Sequence, residues 1–424
     1  MRRLAHLLAI LAACGLATAC PVDPQRAQLT SGRMEAEAPA APTNITFIAS
    51  FGGPGLEEGR FRLIGGVAAR GGRVYVGDQR LSRVQVFDYF GKFLGSWGCG
   101  LDTKDFGVTD QKLALNPQAS EAELMSAGVV EAIVRRDFFR PFDVAVYEGD
   151  VLVLNNFRSR VDATVALMTP EILRFSPQGE LRERYPISAM LPGFIAVDEA
   201  NHRAACSDYM NNAFVVYDLV KGELAGSSRK LLQSSYESYL HLVVNAPTPE
   251  QQVQRLREWT LVGSGEGQFD LIGGLAFYSA QSAEGETVDM VLAVDTNNNR
   301  LQIFTAEGKH LQTIAGAEPG KRSLFTSPVD VAVTAKGVVY LTDQDPKMPA
   351  VSVFSSRFEL LYKLVHPDMA KPAYLDITPD GFIFVSDLAT NQVFVFGPTE
   401  AKLKAGAAGQ TGEPEADPEG GGTV

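Results

Sequence analysis

The residues of this chain best placed to do chemistry are two aspartates, Asp143 and Asp330. They hold equivalent positions in two copies of a repeated pattern, where two carboxylates near a channel mouth could hold Ca²⁺, a cation that prefers oxygen ligands. They could also bind a basic group on a partner. The competing expectation is structural, with each carboxylate accepting backbone amide bonds in its own loop. The histidines that follow the N-terminal leader are His202, His241, His310 and His366, and alignment of the copies puts none at a channel position. That argues against a His-rich Zn²⁺ site. No GxSxG, HExxH, P-loop or dinucleotide fingerprint occurs in a supporting context. Gly263-Ser-Gly-Glu-Gly267 precedes a strand rather than a helix, so it is not expected to cradle phosphate.

The elements that must position these aspartates come from a sentence written six times. The first copy reads Phe61-Arg-Leu-Ile-Gly-Gly-Val-Ala, Gly71-Gly-Arg-Val-Tyr-Val-Gly-Asp78, Arg83-Val-Gln-Val-Phe87 and Gly91-Lys-Phe-Leu-Gly. The fourth repeats it closely: Phe269-Asp-Leu-Ile-Gly-Gly-Leu-Ala, Val291-Leu-Ala-Val-Asp295, Arg300-Leu-Gln-Ile-Phe304 and Gly308-Lys-His-Leu. The first copy is four short strands with turns between them. A polar anchor closes the second strand: Asp78, Asn155, Asp208, Asp295, Asp343 and Asp387. Four residues later comes Ser82, Ser159, Asn212, Asn299 or Asn391, with Lys347 breaking the pattern in the fifth copy. Such anchors are expected to bond nearby backbone amides, not metal.

Strands at this spacing read as an all-β, six-bladed β-propeller with four-stranded antiparallel blades. The last copy supplies only three strands, and Ile45–Phe51 resembles the missing outer one. An N-terminal strand therefore closes the ring. Aligning the starts of the innermost strands gives one ring of residues: Gly66, Asp143, Phe194, Gly274, Asp330 and Tyr374. Copies three apart face each other, so Gly faces Gly, Asp faces Asp, and Phe194 faces Tyr374. This suggests a doubled three-blade unit. Asp143, Asp330, Phe194 and Tyr374 are the candidate channel-mouth binding residues, Asp143 and Asp330 the candidate Ca²⁺ ligands, and Asp376 a further acidic group if it faces the channel.

The repeated pattern resembles the NHL repeat over residues 45–398. That resemblance implies a propeller serving as a binding platform or scaffold. Gluconolactonase-like, paraoxonase-like and amidating-lyase propellers place Ca²⁺ or Zn²⁺ at the channel, which keeps open a Ca²⁺-dependent hydrolase or lyase. The ring of Glu and Asn that those lactonases use is missing here. A third reading is a structural subunit of an envelope complex that docks by helical insertions.

The N-terminus reads as a signal peptide over 1–19: Met1-Arg2-Arg3, an apolar stretch from Leu4 to Leu16, then small residues. Ala17-Thr-Ala-Cys20 is similar to a bacterial lipobox, with Cys20 as the lipidated residue, though that family prefers Leu three residues earlier. Leu11-Ala-Ala-Cys14 fits better but leaves a very short leader, and ordinary cleavage after Ala19 is the alternative. Residues 20–44 read as a lipidated flexible tether and 399–424 as a disordered acidic tail. The formal charge is −12, and loss of Arg2 and Arg3 takes it to −14. No basic run offsets this, which excludes a nucleic-acid partner. Capping boxes at Ser120-Glu-Ala-Glu123 and Thr248-Pro-Glu-Gln251 predict two helical insertions. Insertions 102–136, 161–171 and, less firmly placed, 225–257 lie on the channel-entrance face. The expected partner is a protein or small ligand on that face. The expected location is the cell envelope, as an outer-membrane lipoprotein facing the periplasm or the surface.

Overall fold

A computed structural model describes residues 45–98, 140–160, 166–187, 189, 191–209, 211–228, 248, 251, 262–281, 287–317 and 323–399. Predicted segments 1–44, the helix over 120–136 and most of that beginning at Thr248 lie outside these residues, as do the tail beyond Thr399, Cys99 and His241. Of the second capping box, the amide of Gln251 donates to Thr248 Oγ1 at 3.3 Å.

Strand β1 (Ile45–Gly52) precedes blade 1, which holds β2 (Ile64–Arg70), β3 (Arg73–Asp78), β4 (Arg83–Asp88) and β5 (Phe93–Trp97). Blade 2 holds β6 (Pro141–Tyr147), β7 (Asp150–Arg160), β8 (Ala166–Phe175) and β9 (Leu181–Pro186). Blade 3 holds β10 (Pro192–Asp198), β11 (Arg203–Asp208), β12 (Ala213–Asp218) and β13 (Glu223–Ser227). Blade 4 is β14 (Ile272–Gln281), β15 (Thr287–Asp295), β16 (Arg300–Thr305) and β17 (His310–Ala315), and blade 5 is β18 (Pro328–Val333), β19 (Val339–Asp343), β20 (Ala350–Phe354) and β21 (Leu360–Leu364). Blade 6 has β22 (Pro372–Ile377), β23 (Ile383–Asp387) and β24 (Gln392–Pro398). Its outer strand is β1, paired antiparallel to β24 from Ile45↔Pro398 to Gly52↔Gln392. The molecule is thus a six-bladed propeller of four-stranded antiparallel sheets. The innermost strands touch in cyclic order β2, β6, β10, β14, β18, β22 and back to β2.

The burial pattern follows from this geometry. Inner and middle strands are sandwiched between blades, so both faces are apolar: β19 and β23 are buried at every residue. Outer strands meet solvent and alternate, as β5 does. The aromatics that end the third strands, including Phe87, Tyr217, Phe304 and Phe396, are buried between blades. Each contributes about 2–3 kcal/mol of burial.

Two expected insertion boundaries change. Residues 166–171 are not loop but part of β8, and β7 and β8 continue as a paired ribbon to Arg160↔Ala166. Ala225–Ser227 belong to the outer strand β13. Placing β13 also settles the direction of the following connection. It leaves the same end of its blade as the segment between β5 and β6. The ends where outer strands stop, inner strands start and second strands hand over to third ones form the entrance face. The opposite ends form the exit face.

Candidate functional site

Each anchor aspartate works in its own blade. Asp78 accepts the amides of Arg62 and Leu63, which lead into β2, and those of Arg80 and Leu81 in its own turn. Asp387 repeats this with Ala370, Lys371, Ala389 and Thr390. Asp343 takes Thr326 and Ser327, Asp208 takes Leu191, and Asn155 takes Arg140. These side-chain oxygens fasten the approach to strand one onto the end of strand two, a structural use for a buried acceptor.

The residue four places on works between blades. Asn391 Oδ1 accepts the amide of Ile64 at 2.9 Å, joining blade 6 to blade 1. Asn212 Oδ1 accepts Leu271 and Ile272, joining blade 3 to blade 4. Both blades so reached begin with isoleucine, whose amide is free to donate. Blades 2, 3, 5 and 6 begin with Pro141, Pro192, Pro328 and Pro372, which have no N–H. Asn299, which precedes blade 5, accordingly has no hydrogen bond to its Oδ1 among the described residues. The four side chains Ser82, Asn212, Asn299 and Asn391 all sit at positive φ, between 43° and 52°. Asn tolerates that region better than most residues, which suits three of the four.

Inner strands carry a bulge after their first residue, as between Pro192 and Ile195 or between Pro372 and Leu375. It leaves a backbone amide without a strand partner. Asp143 fills this gap: Oδ1 accepts its neighbour Val144 and Oδ2 accepts Ile195 of blade 3, both at 2.8 Å. Asp330 does the same with Val331 and with Leu375 of blade 6, again at 2.8 Å. Asp376 takes Ile377 and Ala69, joining blade 6 to blade 1. The amide bonds expected for the channel-mouth aspartates therefore exist, but half of them cross to the next blade instead of staying in one loop. Gly66 and Gly274 make this possible. A Cβ on either would lie 1.7 Å from Oδ1 of Asp143 or Asp330.

The aromatic half of the predicted ring meets at the centre. The rings of Phe194 and Tyr374 lie 4.8 Å apart at 39°, and both side chains are buried. Tyr209, half-buried, packs against the same cluster, and a Cβ on Gly193 would meet its ring. Tyr209 is a central residue that sequence reasoning missed. It directly follows an anchor, in the register that also holds Gln79 and Gln344.

Burial raises all three inner carboxyls. Asp143 is pushed up to about 8 and Asp376 to about 6, although two amides pull each of them down. Asp330 lies well above the usual carboxylate range through burial and the negative charge of Asp143. Mutual repulsion adds to the shift, because Asp376 also opposes charge on Asp143 and Asp330.

Each oxygen of Asp143 and of Asp330 accepts one amide proton, which leaves each a second lone pair. Among the described residues, no group of three His, Cys, Asp or Glu side chains could hold a metal. His202 and His310 stand apart from the centre: His202 Nδ1 lies 2.7 Å from Tyr147 Oη, and His310 Nε2 3.0 Å from Thr313 Oγ1. Cys206 is a buried free thiol.

The glycine-rich turn before blade 4 has its own clamp. Arg300 donates to the carbonyls of Ser264, Gly265 and Gln268, each at 2.7 Å, while Gln302 donates to Gln268 and accepts the amide of Gly267. Arg83 and Gln85 hold the segment before blade 1 in the same way, through the carbonyls of Leu56, Glu57 and Arg60 and the amide of Gly59. The turn is tied down by protein groups, which explains its glycines without a phosphate.

No protein family matches this chain, and no curated protein matches it.

Proposed function

We propose that this chain is a membrane-tethered binding or scaffold propeller of the bacterial cell envelope, NHL-like in kind, with the β1–β24 pairing as the clasp of its ring. It takes a protein or small-ligand partner on the entrance face, and Cys20 is its lipid anchor, in the outer membrane and facing the periplasm or the surface.

One observation supports this most. The centre of the ring is spent on holding blades together, through Asp143, Asp330 and Asp376 on backbone amides and Phe194 against Tyr374. A centre so committed offers a rigid frame. The two longest segments that interrupt the repeat, 99–139 and 229–261, connect strand ends of the entrance face, as does the tip of the β7–β8 ribbon; the extended β14–β15 hairpin points the other way. Connections on a rigid scaffold are the usual place for recognition.

The test is capture of envelope partners on bead-bound full-length protein, beside a variant whose residues 102–136 are replaced by a short Gly-Ser turn. The expected result is a partner held by the parent and lost by the variant at unchanged melting temperature. Capture that survives this replacement, and the same replacement of 229–261, rejects the entrance face as the docking surface.

A further inference from the structure

We infer that the anchor is joined to the propeller at its exit face, so that this face lies nearer the bilayer and the entrance face farther from it. This rests on the tethered reading above. The chain joins the ring before Ile45 and leaves it after Pro398, and these two residues are direct partners at one end of the β1–β24 pair. The same end holds the start of β23, since Ile383 pairs with Phe396. The opposite end of this blade holds the anchor Asp387 and the pair Gly52↔Gln392. Both chain ends therefore emerge on the exit face.

The other blades share that polarity. Equivalent residues of neighbouring inner strands lie level with each other: Gly66 abuts Asp143, Gly274 abuts Asp330, and Asp143 bonds Ile195. Blade 6 thus has its entrance end on the same side as blades 1 to 5. The segments 99–139 and 229–261 and the β7–β8 ribbon spring from that side, one strand length from the tether. A strand rises about 3.3 Å per residue, so the two ends of β24 stand roughly 20 Å apart.

Among the described residues the turns of the exit face mix signs, with Lys221 on Asp218 and Arg70 on Glu199. Electrostatic adsorption needs a cluster of like positive charges. Orientation comes from the point of attachment, and a partner reaches the entrance face from the aqueous side.

The experiment places a fluorophore at either end of β23 in the full-length, lipid-bearing protein with Cys99→Ser as background. Asp380→Cys reports the exit face and Ala389→Cys the entrance face, both exposed positions in turns of blade 6. The protein is bound to phosphatidylcholine vesicles that carry a quencher on the lipid headgroup. Quenching several-fold stronger at 380 than at 389 is the expected result. Equal quenching, or stronger quenching at 389, overturns the orientation while leaving the anchor intact. Flotation with the vesicles, abolished by Cys20→Ala, tests the anchor separately; a parent protein that does not float overturns both readings.

Discussion

Blades 1–3 and blades 4–6 solve the same problem twice. Gly66, Asp143 and Phe194 in the first half match Gly274, Asp330 and Tyr374 in the second, and each set makes the same contacts. Arg83 with Gln85 matches Arg300 with Gln302, and Asn212 matches Asn391. Away from the inner ring the halves part. Long connections interrupt the chain between blades 1 and 2 and between 3 and 4, whereas only 316–327 separate blades 4 and 5. Asp376 staples blade 6 to blade 1, while its counterpart Ala196 has no carboxylate and meets blade 4 by apolar packing. On the exit face the first half has Glu199, which meets Arg70 of blade 1 at 2.6 Å and the amide of Glu148 of blade 2. The inner ring is fixed by packing, because Asp143 and Asp330 each reach the next blade and Phe194 meets Tyr374 across the centre. The connections touch solvent and are free to differ, which is where a partner-specific surface can be built.

Three sets of substitutions break or sharpen this comparison, taken from the largest effect to the smallest. Gly66→Ala and Gly274→Ala should each cost about 3 kcal/mol or more, since the new Cβ meets an aspartate that cannot withdraw. Thermal melts should show similar losses in both halves, and a mild effect in one would deny the equivalence. Arg300→Met should follow at about 3 kcal/mol, because it strands the buried Asp295, which Arg300 meets at 2.7 Å. Arg83→Met should cost less, since Arg83 lies 3.8 Å from Asp78. Denaturant titration of the two variants would read this asymmetry.

Asn391→Ala and Asn212→Ala should cost about 1–3 kcal/mol, each leaving a backbone amide without its acceptor. Asn299→Ala should cost clearly less. All three sit at positive φ, so the backbone penalty of alanine cancels and the difference reports the hydrogen bond alone. Equal losses for the three would reject the link between asparagine and a following isoleucine.

Beside these substitutions stands the pH dependence. The folded protein holds protons on Asp143 and Asp376 at pH values where an unfolded aspartate has lost them. Their contribution to stability is full below about pH 4 and is lost as pH rises through about 6 for Asp376 and about 8 for Asp143. Melting temperature should fall over that window, and Asp143→Asn should flatten the upper part of the fall. A melting temperature unchanged from pH 5 to 8 would show that the amide bonds outweigh burial. Added Ca²⁺ or EDTA should leave the melt unmoved; a clear stabilisation by Ca²⁺ would reopen the metal reading.

Much of this was legible in the residues. The count of blades follows from six anchors, each closing the second strand of a copy, and the meeting of Phe194 with Tyr374 follows from counting copies three apart. The structural role of the anchor aspartates was also legible, because a polar residue closing a strand finds amides in its own turn and at the entry to its own blade. The fifth copy was not. Lys347 breaks its pattern, and the Asp343 carboxylate is met instead by Lys363 of the outer strand at 3.5 Å. Lys363 pairs across with Ser352, which stands where other blades have Gln85 or Gln302, so a small side chain sits beside the lysine.

The sequence by itself determined the strands, their grouping into blades and which residues face the ring, because period, turn chemistry and repetition act over short stretches of chain. Only the tertiary structure decided what the two leading aspartates do. Asp143 finds its second partner 52 residues away and Asp330 finds its own 45 residues away, through a bulge that frees one amide and a glycine that clears the space. No spacing rule encodes that meeting. It exists only when six sheets are set around one axis and the unpaired amide of one blade comes within reach of a carboxylate on another.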